Sequence, residues 1–184
     1  MKRKYFISCL LVIVCIISGC ASKQIKGSTM PKVDELVDEA RVLDTAAFKS
    51  GGNLLIVPFR PGPGVEANDK MEKISLMAFK GIMETLGKAR TPFRILTNED
   101  AENTDLVLKG HVTALGESRG VTKWVAGQEK SFLAIEGQMS DPETGKNVLV
   151  FSYREIVGLN QEDYQLMSYR IGQRVGEFIL SQLN

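Results

Sequence analysis

An alternating run before the segment Asp141-Pro142-Glu143-Thr144-Gly145 and a strand-like run after it constrain the fold more than any other feature. Leu133, Ile135, Gly137 and Met139 fall on one side of an extended chain, and Phe132, Ala134, Glu136 and Gln138 on the other. A period of two is the signature of a strand with one side buried. Pro142 presets a turn's φ and Gly145 can take positive φ, so the chain reverses here and Val148–Val157 returns as the partner strand. The sheet therefore contains an antiparallel hairpin.

The same period begins at Asp105. Leu106, Leu108, Gly110, Val112 and Ala114 share one side, and Lys109, His111 and Thr113 the other. His111, the only histidine, thus sits on the more polar side of a strand without a paired histidine, as a surface residue with no catalytic or metal role. Upstream, Leu54–Phe59 is a continuous apolar run suited to a strand buried on both faces in the middle of a sheet. The following Arg60-Pro61-Gly62-Pro63-Gly64 lacks both G-x-G-x-x-G and a Gly-Lys-Ser/Thr, and its prolines remove amide donors. It is a rigid turn rather than a phosphate cradle. Phe93–Thr97 is a short strand.

Helical spacing appears three times. Val33, Leu36, Val37, Ala40, Leu43 and Ala47 predict an amphipathic helix over 33–47, broken by Gly51-Gly52-Asn53. Met71, Ile74, Ala78, Ile82 and Leu86 predict a second, capped by Asn68 or Asp69 and stopped at Gly87. Tyr164, Met167, Ile171, Val175, Ile179 and Leu183 predict a last helix from about Gln161. Its Gly172 and Gly176 are expected to allow close packing on the sheet. The element order implies an α+β fold: a two-layer sandwich with a mixed, mostly antiparallel sheet and helices packed on it.

The N-terminus gives an address. Lys2-Arg3-Lys4 precedes a short apolar core that ends in Ile17-Ser18-Gly19-Cys20. The core is short for a span of roughly 20 residues, and its basic start and small terminal residues make a secretory signal over 1–19. Residues 20–32 are polar, with Gly27, Ser28 and Pro31, and form a tether; 33–184 is one domain with its core from about residue 50. Cys9 and Cys15 leave with the signal, so no disulfide, thiol nucleophile or thiolate metal site is expected. The signal holds three of the 23 basic residues and none of the 22 acidic ones, leaving a mature net charge of −2. That balance argues against nucleic acid as a partner.

Ile17-Ser18-Gly19-Cys20 resembles the bacterial lipobox. The resemblance implies acylation of Cys20 and cleavage before it, with two or three chains holding the domain firmly where one binds marginally. Ala21 and Ser22 after the cysteine resemble the pattern of outer-membrane delivery. "LLIVPF", "DLVLKGHVTALGES", "DPETGKNVLVFS" and "IGQRVGEFILSQL" are similar to uncharacterised Gram-negative lipoproteins of a domain-of-unknown-function group, which resemble the TolB amino-terminal, CsgG and LpoB fold. That similarity covers about residues 50–184 and implies an α/β module of cell-envelope assemblies. The tether is shorter than an LpoB-like reach through the wall requires. The stretch "GVTKWVAGQEKSFLAI" lacks the sustained alternation of a CsgG-like pore strand.

The function expected is a non-enzymatic interaction or assembly module, lipid-anchored in the outer membrane and facing the periplasm, auxiliary to transport or secretion. The membrane is one partner, through Cys20; an envelope protein is another, and a homo-oligomer is compatible. Arg119, Lys123 and Trp124 are the candidate partner surface, because the only tryptophan lies off any periodic apolar face, and aromatic plus arginine is hot-spot composition. No cofactor or metal is expected. The alternative is a periplasmic carrier of a lipid or small apolar ligand, which needs an apolar cavity between helices and sheet. An enzyme is the third class. No G-x-S-x-G surrounds a serine, and Glu136 and Asp141 are the carboxylates that would have to pair.

Overall fold

The computed structural model describes residues 38–96, 102–118, 130–158 and 164–183. The signal segment, Cys20, the tether, and Arg119, Lys123 and Trp124 lie outside the described residues. The elements are β1 (Glu39–Val42), α1 (Thr45–Ser50), β2 (Gly52–Ile56), β3 (Arg60–Pro61), α2 (Asp69–Gly87), β4 (Phe93–Leu96), β5 (Leu106–Ser118), β6 (Lys130–Ser140), β7 (Asn147–Gly158) and α3 (Tyr164–Ser181).

The strands form one seven-stranded mixed sheet in the order β1-β7-β6-β5-β2-β4, with β3 pairing β5 beyond the end of β2. The β5-β6-β7-β1 half is antiparallel, and β2 and β3 join β5, and β4 joins β2, in parallel. The expected α+β sandwich is what forms. The expected hairpin is β6–β7, and Gly145 closes its turn at φ +69°. Leu54, Leu55 and Ile56 are buried in β2, between β5 and β4, as a doubly covered strand requires. Gly51 and Gly52 both take positive φ at the start of this strand. A Cβ on Gly52 would lie 2.7 Å from the Asp105 carboxylate oxygen, which accepts the Asn53 amide at 2.7 Å.

Both long helices cover one face of the sheet. Met71, Ile74, Ala78, Ile82 and Leu86 of α2 and Met167, Ile171, Val175 and Ile179 of α3 meet Leu108, Val112, Leu133, Ile135, Met139 and Leu149 in the main core. Asn68 caps α2 through the Met71 amide at 3.0 Å. The helices run parallel: Lys70 lies over the Tyr164 ring, the Ser168 hydroxyl donates to the Ile74 carbonyl, and Gly172 abuts Ala78. Here the structure corrects the role of the glycines. Gly172 and Gly176 face α2, not the sheet. A Cβ on Gly172 would strike the Ala78 backbone, and one on Gly176 would sit 2.7 Å from Thr85 Cβ. Gly81 makes the reciprocal approach from α2 to the α3 backbone.

The helix expected over 33–47 is also corrected across its described part. Residues 39–42 are a strand, pairing Glu39 with Ser152 and Val42 with Leu149, and only 45–50 are helical. Ala40 fits a helical period and a period of two, Val42 only the latter, and the free edge of β7 supplies backbone partners that no isolated helix would match. Leu43, expected on the buried side, is 48% exposed. Asp44 instead caps α1, accepting the Ala47 amide at 3.0 Å and the Lys146 ammonium at 2.5 Å, and Phe48 packs edge-on to Phe93.

One further correction falls on Ala114. The register of β5 against β6 shifts between Val112 and Ala114, so Thr113 is a bulge residue and the side chains beyond it change faces. Ala114 then leaves the main core and joins Phe132 and Ala134 in a small buried cluster of its own.

Candidate functional site

With both long helices on one face of the sheet, the other face presents the alternate side chains of β1, β5, β6 and β7. Register aligns them into two rows across the strands. One row is His111, Glu136, Ser152 and Glu39, with Arg60 of β3 opposite His111 at its end; the other is Lys109, Gln138, Val150 and Arg41. Two residues along a strand separate the rows by about 6.8 Å. Between them lies a cavity of about 360 Å³, lined by these residues (Arg60 excepted) with Gly110, Gly137 and Phe151 as its floor.

The floor is formed at the core-facing positions between the rows, where Gly110 and Gly137 stand opposite each other across β5 and β6. Beneath them, on the core side, the Phe151 ring occupies the space a Gly137 side chain would need, and Phe59 lies 3.1 Å from an ideal Cβ on Gly110. The two rings are 6.0 Å apart and buried. The walls carry opposite charge. Glu136 and Glu39 make one negative, and Lys109 and Arg41 make the other positive. The walls meet at the β1 end, where Arg41 and Glu39 lie 3.8 Å apart.

A charged cluster holds β1 in place beside the groove. The Asp38 carboxylate accepts the Arg154 amide at 2.8 Å and the Arg174 guanidinium at 2.7 Å, and Arg174 also lies over the Tyr153 ring. Burial pushes the Asp38 carboxyl up, but the hydrogen bonds from Arg174 and the Arg154 backbone outweigh it and hold the group below the usual range. Desolvation raises the Tyr153 phenol.

His111 is exposed, on the polar side of β5 as its alternation implied, and stands directly opposite Glu136. Glu136 and Asp141 are not brought together. They lie about 16 Å apart along the chain of β6. Asp141 is engaged in its turn, accepting the Glu143 amide at 2.8 Å and the Thr144 hydroxyl at 2.8 Å. Cys20, Arg119, Lys123 and Trp124 lie outside the described residues. The groove residues Lys109, Gln138, Glu39 and Arg41 were not singled out from the sequence. Alternation identifies the outward set of each strand, but only the register assembles the sets into walls.

No protein-family model matches the chain, and no curated protein matches it at a significant level. Solved structures do. A point variant of PelC from Paraburkholderia phytofirmans, described as a dodecamer, is 16% identical and superposes with a TM-score of 0.51 over 80% of this chain and 98% of its own. The likeness is one of fold. The lipoprotein GNA1162 from Neisseria meningitidis is 14% identical (TM-score 0.44; 70% of this chain, 98% of that one). A Caulobacter crescentus protein described as a lipoprotein is 11% identical (TM-score 0.41; 76% and 91%). Identities this low speak to the fold alone.

Proposed function

We propose that this chain is a lipoprotein of the outer membrane, held by acyl groups on Cys20 and facing the periplasm, and that it serves as a non-enzymatic interaction or assembly module of the envelope. The observation that carries the reading is a lipobox, Ile17-Ser18-Gly19-Cys20, ahead of a domain whose fold is shared with PelC. PelC is described as a dodecamer, and self-association of this chain is part of the proposal. Arg119, Lys123 and Trp124 are its proposed contact residues. Two features support an interaction module over a carrier of apolar ligands. The space between helices and sheet is filled by Ile74, Ile82, Leu108, Leu133 and Met139, all fully buried. The groove lies on the opposite face and its walls are charged.

The test is metabolic labelling with a palmitate analogue in cells carrying the wild-type chain or Cys20→Ser. Label on the wild type and none on the variant, which remains as precursor or is released from membranes, is the expected result. Equal label on both removes the anchor. Sedimentation of the detergent-solubilised wild type then measures the assembly, and a strictly monomeric chain removes self-association.

A further inference from the structure

The open-face groove has the chemistry of a receptor for a small zwitterion. We propose that it binds the phosphoethanolamine headgroup of a membrane lipid, with the phosphate held by Lys109 and the ammonium by Glu136.

Three observations lead there. The first is charge arrangement: a positive and a negative wall, about 6.8 Å apart by strand geometry, run side by side over one floor. A purely anionic ligand would meet Glu136 and Glu39, and a purely cationic one Lys109 and Arg41. A ligand carrying both charges across a two-carbon spacer satisfies both walls. The walls already attract each other at the β1 end, through Arg41 and Glu39. The β5–β6 end, where Lys109 and Glu136 stand diagonally across the gap, is therefore where an incoming zwitterion finds charges to pair.

The second observation is the type of cation. A quaternary ammonium is recognised by aromatic faces. The lining residues include no Trp or Tyr, and the ring of Phe151, their one phenylalanine, is turned to the core against Gly137. The acceptors in the groove are instead the carboxylates, the Gln138 amide oxygen and the Ser152 hydroxyl, which suit an ammonium with N–H groups to donate.

The third is position. Glu39 opens β1 and lines the groove, and Cys20 precedes it by 19 residues, a span of at most ~65 Å when fully extended. The groove thus lies where the chain leading from the proposed anchor joins the sheet. The supply of lipid rests on that anchor. The recognition does not, and the experiment treats the two separately.

The purified full chain, whether or not it is acylated, is held in dodecyl maltoside micelles and titrated with dihexanoyl-phosphatidylethanolamine, dihexanoyl-phosphatidylglycerol and glycerophosphoethanolamine, followed by amide chemical shifts of β5 and β6. Exposed ion pairs are individually weak, so saturation by the ethanolamine lipid is expected with Kd of order 1 mM, and the glycerol lipid should bind at least about tenfold more weakly. Lys109→Glu and Glu136→Lys should each weaken the ethanolamine lipid by about tenfold, and the double exchange, which restores one charge of each sign, should recover most of the loss. Both side chains are exposed, so the variants should keep the wild-type melting curve. Equal binding of the two lipids overturns the proposal, because the negative wall is then unused. So does the absence of saturation, or insensitivity to both exchanges. Binding of glycerophosphoethanolamine without the lipid overturns the membrane source in favour of a soluble headgroup. None of these outcomes depends on acylation of Cys20, which the labelling experiment decides.

Discussion

Replacing Gly172 by alanine tests the architecture at its tightest point. Within a helix the change is ordinarily favourable, by about 1 kcal/mol of propensity. Here the new methyl group would lie 2.9 Å from the Ala78 carbonyl carbon and 3.1 Å from its Cα, with the Ala78 carbonyl oxygen closer still. Carbon atoms pack at about 3.5–4.0 Å, so α2 and α3 must move apart by roughly an ångström. The obstacle is backbone, which no rotamer change can relieve. Overpacking of this kind costs about 1–3 kcal/mol, sometimes more. The shift also stretches the buried hydrogen bond from the Ser168 hydroxyl to the Ile74 carbonyl, now 2.5 Å, for about another 1 kcal/mol. With the propensity gain subtracted, the net loss is about 1–3 kcal/mol, or a melting temperature lower by roughly 2–12 °C. Urea midpoints of the wild type, Gly172→Ala and Gly87→Ala measure it. Gly87 ends α2 with nothing within 4 Å of an added Cβ, so its variant should be neutral or slightly stabilised. A Gly172→Ala protein at least as stable as the wild type would refute the close crossing of the two helices.

Asp38 carries a pH dependence. Its folded-state pKa is lowered, so its contribution is complete above the usual carboxylate range and is lost as pH falls through the lowered value, below about pH 4. The side chain is 39% exposed, and solvent screening reduces the effect of Asp38→Asn at pH 7 to about 0.5–1 kcal/mol. Denaturation midpoints at pH 7 and pH 3 should converge for variant and wild type, and a gap that persists at pH 3 counts against the Arg174 pairing as its source. Trp124→Ala should leave the melting temperature within about 1 °C while reducing recovery of crosslinked envelope partners, as an interface tryptophan does. A fall equivalent to about 3–5 kcal/mol would mean the ring is packed within its own domain.

What the sequence determined by itself is local. Alternation around Asp141–Gly145 specified the β6–β7 hairpin, the unbroken apolar run specified β2 as a covered strand, and the 3.6-residue spacing specified both long helices, with Asn68 as a cap. Each depends on neighbours within a few residues, where period and turn chemistry leave one solution. The sequence also placed His111 on the polar side of β5. Tertiary structure decided the rest. Ala40 sits in both a helical and an alternating pattern, and pairing with the free edge of β7 selected the strand over 39–42. The bulge at Thr113, which sends Ala114 to the other face, arises from register between β5 and β6 rather than from any signal in its own segment. Gly172 and Gly176 announced a close approach, read from the sequence as one to the sheet, and the parallel crossing of α2 and α3 supplied the true partner. The groove is the plainest case. Lys109, Glu136, Arg41 and Glu39 lie on three separate stretches of chain, and they become opposed walls only because hydrogen-bond register lines up strands, β1 and β7 among them more than a hundred residues apart in sequence.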